Sequence, residues 1–147
     1  MQGPVTMDAS VFLNAFNLQE KGQPQSQRLL SHLRDAATPI VCPTLLLPEV
    51  SATISRGTSN PELAQEFTAS LQQLPHMVLV PLDERLAEEA AAIAANQRLR
   101  GRDAVYAAVS LRFASTLITL DKEMHDRASD QVHTRYPDEV LEELNLD

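Results

Sequence analysis

The stretch Val5-Thr6-Met7-Asp8-Ala9-Ser10-Val11-Phe12-Leu13-Asn14 decides the fold. A short apolar run leads straight to an acid, and a small residue, a hydroxyl and an amphipathic segment follow. That order reads as a strand delivering Asp8 to its C-terminal end, then a helix opening. In open α/β sheets ligands bind along that edge. If other acids return to the same edge, the chain has built a cation site.

Working outward, short apolar runs alternate with helical patterns. The helix after Asp8 is expected over 11–18, with Lys21-Gly22-Gln23-Pro24 breaking it. Leu29, Leu30 and Leu33 then make a helical stripe over 26–36. Ile40-Val41-Cys42 reads as a second strand, and Thr44 as the cap of a helix over 45–56 that stops at Gly57. Asn60 followed by Pro61 opens another helix, which ends near Leu74-Pro75. Met77-Val78-Leu79-Val80 is a third strand, after which Asp83 caps an alanine-rich helix over 86–95. A break at 96–101 precedes a helix over 104–113. The run Thr116-Leu117-Ile118-Thr119-Leu120 is a fourth strand ending on Asp121, with a helical piece over 124–128 behind it. A brief fifth strand at 131–135 and an acidic helix over 137–144 close the chain. Strands alternating with helices imply βαβ units, so a three-layer α/β/α sandwich with a mostly parallel sheet of four or five strands is expected.

At 147 residues the chain is expected to be a single domain over 1–147. An apolar fraction of 44% with 22% charged residues is an ordinary globular composition. No apolar run approaches the roughly 20 residues of a membrane span. The start, MQGPVTMDAS, lacks a basic region and an apolar core, so no secretory signal and a cytoplasmic location are expected. Cys42 has no disulfide partner and reads as a buried strand thiol. The net charge of −8 argues against a protein that coats nucleic acid through a basic surface. The charge is uneven, though: Asp138, Glu139, Glu142, Glu143 and Asp147 crowd the C-terminus, while Arg98, Arg100, Arg102 and Arg112 make a local basic cluster.

Four acids stand where acids are costly or exposed to chemistry. Asp8 and Asp121 each follow an apolar strand, so both emerge at one sheet edge. Asp103 stands at a helix start behind Arg100-Gly101-Arg102, where a plain N-cap would also explain it. Glu49 lies among Leu45, Leu46, Leu47, Val50 and Ile54, where an unpaired carboxylate is costly to bury; an ion pair with Arg56 or another arginine is the alternative. One cysteine and four scattered histidines give no zinc spacing. Clustered carboxylates suit hard cations such as Mg²⁺ or Mn²⁺. The GxxxxGK[ST], GxGxxG and GxSxG patterns are absent, which removes P-loop, dinucleotide and serine-hydrolase signatures.

The segments VTMDASVFLNAF, VCPTLLLPEVSATISR, LRGRDAVYAAVSLRFAS and TLITLDKEM together resemble a PIN domain, the ribonuclease fold of VapC-type toxins of toxin–antitoxin pairs. The resemblance spans nearly the whole chain and implies a strand order 3-2-1-4-5, which makes the strands before Asp8 and Asp121 neighbours. It implies a Mg²⁺-dependent endoribonuclease with Asp8, Glu49, Asp103 and Asp121 as its acidic pocket. Asp8 and Asp103 would ligate the ion directly, Asp121 directly or through water, and Glu49 through a bound water or a second ion. Ser10 would orient Asp8, and Glu123 takes the place of a fifth acid more often aspartate. Met124 stands where phenylalanine is common. Arg98, Arg100, Arg102, Arg56 and Lys122 are candidate contacts to RNA phosphates, or else a solvated surface. The resemblance also implies a homodimer and a small antitoxin partner. A PIN nuclease of RNA maturation without an antitoxin, and a non-catalytic module binding RNA or protein, are the competing functions. A phospho-receiver is disfavoured, because it opens on adjacent acids and Asp8 follows Met7.

Overall fold

The computed structural model describes residues 3–146, so Asp147 of the acidic C-terminus lies outside it. Its elements run β1 Val5–Met7, α1 Ala9–Phe16, α2 Gln23–Asp35, β2 Ile40–Pro43, α3 Leu46–Thr58, α4 Pro61–Gln72 and β3 Met77–Val80. They continue with α5 Glu84–Gln97, α6 Gly101–Phe113, β4 Thr116–Ile118, α7 Lys122–Ala128, β5 Thr134–Arg135 and α8 Pro137–Glu143. The five strands form one parallel sheet in the order β3-β2-β1-β4-β5. Helices cover both of its faces, the arrangement a parallel sheet requires. No helix among the described residues is long and apolar enough to cross a membrane.

The centre of the sheet explains the opening stretch. Val5 and Met7 are fully buried, as are Leu117 and Ile118 on the neighbouring strand. β1 and β4 pair in register from Val5↔Thr116 to Met7↔Ile118, so their C-terminal ends lie level. Helix α6 is the most enclosed helix, buried continuously from Asp103 to Ser110. It packs against β1, β2 and β4. An acid in its first turn is therefore carried to the same edge as Asp8. Cys42 is buried on β2, and burial pushes its thiol up to about 12.

Several boundaries fall elsewhere than expected. Helix α2 begins at Gln23, not 26, because Gly22 takes a left-handed φ of 87° and Pro24 sits in the first turn, where its missing N–H costs nothing. Thr44 does not cap α3; Leu45 holds that place, and the Thr44 hydroxyl accepts from the Leu82 N–H at 3.3 Å. Gly57 lies inside α3, which runs to Thr58 and ends on Ser59 at φ 55°. Asn60 and Asp83 cap α4 and α5 as expected, each accepting from a backbone N–H three residues on. Arg98 ends α5 in the left-handed conformation. β4 closes at Ile118, so Thr119 and Leu120 form a turn between the strand and Asp121.

Candidate active site

Asp8, Glu49, Asp103 and Asp121 line a single cavity of about 180 Å³, together with Ser10, Thr53, Arg102 and Tyr106. Each acid arrives by a different route. Asp8 is the N-cap of α1, its Oδ1 accepting from the Ser10 N–H at 3.1 Å and from the Ser10 hydroxyl. Thr119 donates its hydroxyl to Asp8 Oδ2 at 2.7 Å. Asp121 is the N-cap of α7, accepting from the Met124 N–H at 2.9 Å through Oδ1, with Oδ2 4.0 Å from Arg100. Asp103 lies in the first turn of α6 and does not cap it: that place belongs to Arg100, whose side chain makes no capping bond. Glu49 projects from the first turn of α3, one oxygen accepting from the Tyr106 hydroxyl at 2.6 Å and the other 4.0 Å from Arg102.

The acids are held against their own charge. Asp8 and Asp103 are each 7% exposed. Burial raises Asp8 despite the hydrogen bonds from Ser10 and Thr119, and Glu49 adds repulsion. Burial also raises Glu49, opposed by the Tyr106 hydrogen bond and by Arg102. Asp103 is pushed up from 3.8 to about 6, first by burial and then by the charges of Asp121 and Asp8. Asp103 Oδ2 is buried with no hydrogen-bond partner. A buried unpartnered carboxylate oxygen costs free energy unless something satisfies it.

That orphaned oxygen is the test of fit for a cation. Among the described residues no three acids, histidines or cysteines already form a closed metal-holding group. Carboxylates that repel one another relax apart, and a divalent cation reverses the sign of that interaction. All four offer hard oxygens, the donor set Mg²⁺ and Mn²⁺ take. The residues fit such an ion.

Two residues outside the sequence expectations hold the site together. Thr119 donates to Asp8 and accepts from the Asp121 N–H at 3.0 Å, so one hydroxyl ties the first acid to the last. Ser10 reaches across too, accepting from the Leu120 N–H at 3.3 Å. Tyr106 falls one helical turn after Asp103, on the same face of α6. Burial and the Glu49 carboxylate raise its phenol far above the ordinary value, so it remains a donor.

The expected cations divide. Arg102 lines the cavity. Arg100 is spent on acids, 4.0 Å from Asp121 and 3.5 Å from Glu123. Glu123 also pairs with Arg127 at 2.6 Å, so it stands at the rim among arginines. Lys122 pairs with Asp126 at 2.7 Å. Arg112 pairs with Glu89 at 2.7 Å and has no part in the cavity. His125 lies half-buried on α7, its ring stacked on Tyr136 at 3.9 Å.

The family model of the PIN domain matches residues 5–130. This chain belongs to the PIN domain family. The match takes in all four acids of the cavity, with Ser10, Tyr106 and Thr119. Among solved structures, this PIN domain is similar to VapBC2 from Rickettsia felis, described as bound to a DNA fragment from its promoter. There the TM-score is 0.69 at 12% identity, covering 90% of this chain and 97% of that one. It is also similar to VapC20 from Mycobacterium tuberculosis, described as a sarcin–ricin loop cleaving toxin. That pair gives 0.69 at 17% identity, covering 89% and 98%. FitAcB from Neisseria gonorrhoeae gives 0.68 at 19%, covering 90% and 97%. These likenesses are of fold. A search of curated proteins found no match.

Proposed function

We propose that this PIN domain is a Mg²⁺-dependent endoribonuclease, the toxin of a toxin–antitoxin pair. The observation that carries the reading is the cavity at the sheet edge where four carboxylates converge with an unpartnered oxygen on Asp103. Structural proteins have no use for four mutually repelling acids in one recess. When bound, Mg²⁺ or Mn²⁺ would supply an acidified water and a positive charge for the phosphodiester oxygens. Asp8, Asp103 and Asp121 would hold the ion, with Glu49 taking an outer water. Ser10 and Thr119 keep Asp8 aimed into the cavity. Tyr106 favours the charged form of Glu49 against its burial and would keep it turned inward. Arg102 meets the entering phosphate. Support for RNA as substrate comes from the similar fold described as a sarcin–ricin loop cleaving toxin.

The reading extends to the cytoplasm, a homodimer and a small antitoxin whose cationic side chain would answer the pocket's charge. The VapBC2 likeness supports such a partner. Incubation of labelled RNA with purified protein tests the reading. Internal cleavage with Mg²⁺ that stops on chelation is expected, and cleavage that persists in chelator contradicts it.

A hydrogen bond to a charged group contributes roughly 1.5–3 kcal/mol. Loss of the Tyr106 hydroxyl loosens Glu49 without emptying the recess. Tyr106→Phe is therefore expected to slow cleavage about tenfold, which corresponds to ~1.4 kcal/mol. A rate within about twofold of the parent, read from initial velocities, would deny Tyr106 this part.

A further inference from the structure

The acidic cavity is continuous with a second one that runs over α3. The two share Glu49, Thr53 and Arg102, and the second adds Pro48, Ala52 and Arg56. Of the cations near the site, only Arg102 and Arg56 line this path. Arg102 bridges both cavities. Arg56 is exposed at the far end, and among the described residues it makes no ion pair. Arg100 and Lys122 are held by Asp121, Glu123 and Asp126.

Another cavity near the site has the other polarity. A cavity beside Leu120, the residue before Asp121, is lined by Glu20 and Asp138 against a single Lys21. A polyanion leaving the acidic recess meets two guanidinium groups over α3 and a net negative field on the Leu120 side. Guanidinium groups suit phosphate oxygens, which they can hold through paired N–H donors. Glu49, 4.0 Å from Arg102, is the one carboxylate lining that cavity; Pro48 and Ala52 add no further charge, and Arg56 pairs with no acid among the described residues.

We propose that the RNA backbone on one side of the scissile phosphate runs through the α3 cavity, its phosphates held by Arg102 and Arg56. This rests on the nuclease reading and adds to it a direction of approach. The five candidate cations then separate: Arg56 and Arg102 carry RNA, while Arg100 and Lys122 serve neighbouring acids and Arg98 ends a helix.

Fluorescence anisotropy of a labelled single-stranded RNA tests the path. The binding is measured with Mg²⁺ at several KCl concentrations, in an Asp103→Asn background that leaves the RNA uncut. Each phosphate contact contributes about 0.7 to the slope of log affinity against log salt for a single strand. Arg56→Ala is expected to weaken binding several-fold and flatten the slope by about 0.7, with Arg56→Lys retaining most of it. Lys122→Ala is expected to leave the slope in place. An unchanged slope for Arg56→Ala, or a flattened slope for Lys122→Ala alone, overturns the path while the nuclease reading stands. No RNA binding by the Asp103→Asn protein that keeps Arg56 also overturns the path, while cleavage by the unsubstituted protein decides the nuclease reading. Thermal unfolding checks that each variant is folded, as expected for an exposed helical position.

Discussion

Asp103→Asn is expected to yield a protein that cuts no RNA and unfolds at a higher temperature than its parent. The two effects share one cause. Asp103 is kept buried beside Asp8 and Asp121, which lifts its carboxyl from 3.8 to about 6. A native pKa above the unfolded one means the folded chain binds that proton more tightly. Stability from this group is therefore present at low pH and is lost as pH rises from 3.8 through about 6. At neutral pH the charged form costs on the order of 3 kcal/mol, part of which the buried asparagine amide would still carry. Asparagine removes the charge, keeps the shape and can donate to the neighbouring carboxylates. The variant should gain roughly 4–8 °C at pH 7 for a chain of this size. The gain should shrink toward zero by about pH 4, below the raised range. Activity moves the other way, since a cation's contribution to transition-state charge is several kcal/mol and a thousandfold loss takes about 4 kcal/mol. Melting curves across pH, with cleavage assays on the same samples, check both. A destabilised Asp103→Asn at pH 7 would contradict the strain argued for this carboxylate.

Thr119→Val should be the most damaging change outside the acids themselves. Its hydroxyl is fully buried, donates to Asp8 and accepts from the Asp121 N–H. Valine keeps the volume and deletes both bonds at once. One buried carboxylate oxygen and one backbone N–H are left without partners, at about 1–3 kcal/mol for each group. A loss of 2–4 kcal/mol in stability is expected in chemical denaturation. Asp8 and Asp121 also lose their common tether, so cleavage should fall on the order of a hundredfold. Thr119→Ser keeps the hydroxyl and should recover most of the rate, which a loss of packing alone would not allow. A Thr119→Val protein as active as its parent would deny Thr119 the part of a tether.

The sheet and the four acids were legible because each left a local trace. Asp8 closes an apolar run, and Glu49 breaks one, a cost that announces a partner. The partner itself was not local: Arg56 lies on the same helix, yet the contacts come from Arg102 and Tyr106 on α6. Nothing in Ala104-Val105-Tyr106 marks Tyr106 as a donor to Glu49. Thr119 was hidden differently. Thr116-Leu117-Ile118-Thr119-Leu120 is apolar and β-branched like a strand throughout, but the ladder stops at Ile118. Thr119 then turns inward to Asp8 because a carboxylate there needs a donor. Gly57 misled for the reverse reason. Its freedom went unused, while Ser59 took the left-handed turn. Burial and polar satisfaction across the sheet decided the Glu49, Tyr106 and Thr119 cases, while the end of α3 was settled locally by the Ser59 N–H donating to the Ser55 carbonyl.

The proposed nuclease requires the recess to hold a divalent cation. Calorimetric titration of the purified protein with Mn²⁺ at neutral pH tests it without reference to any RNA. Saturable binding is expected, lost in Asp103→Asn and in Asp8→Asn and kept in Arg56→Ala. Equal Mn²⁺ binding by the parent and both acid variants, or none by the parent, would contradict it.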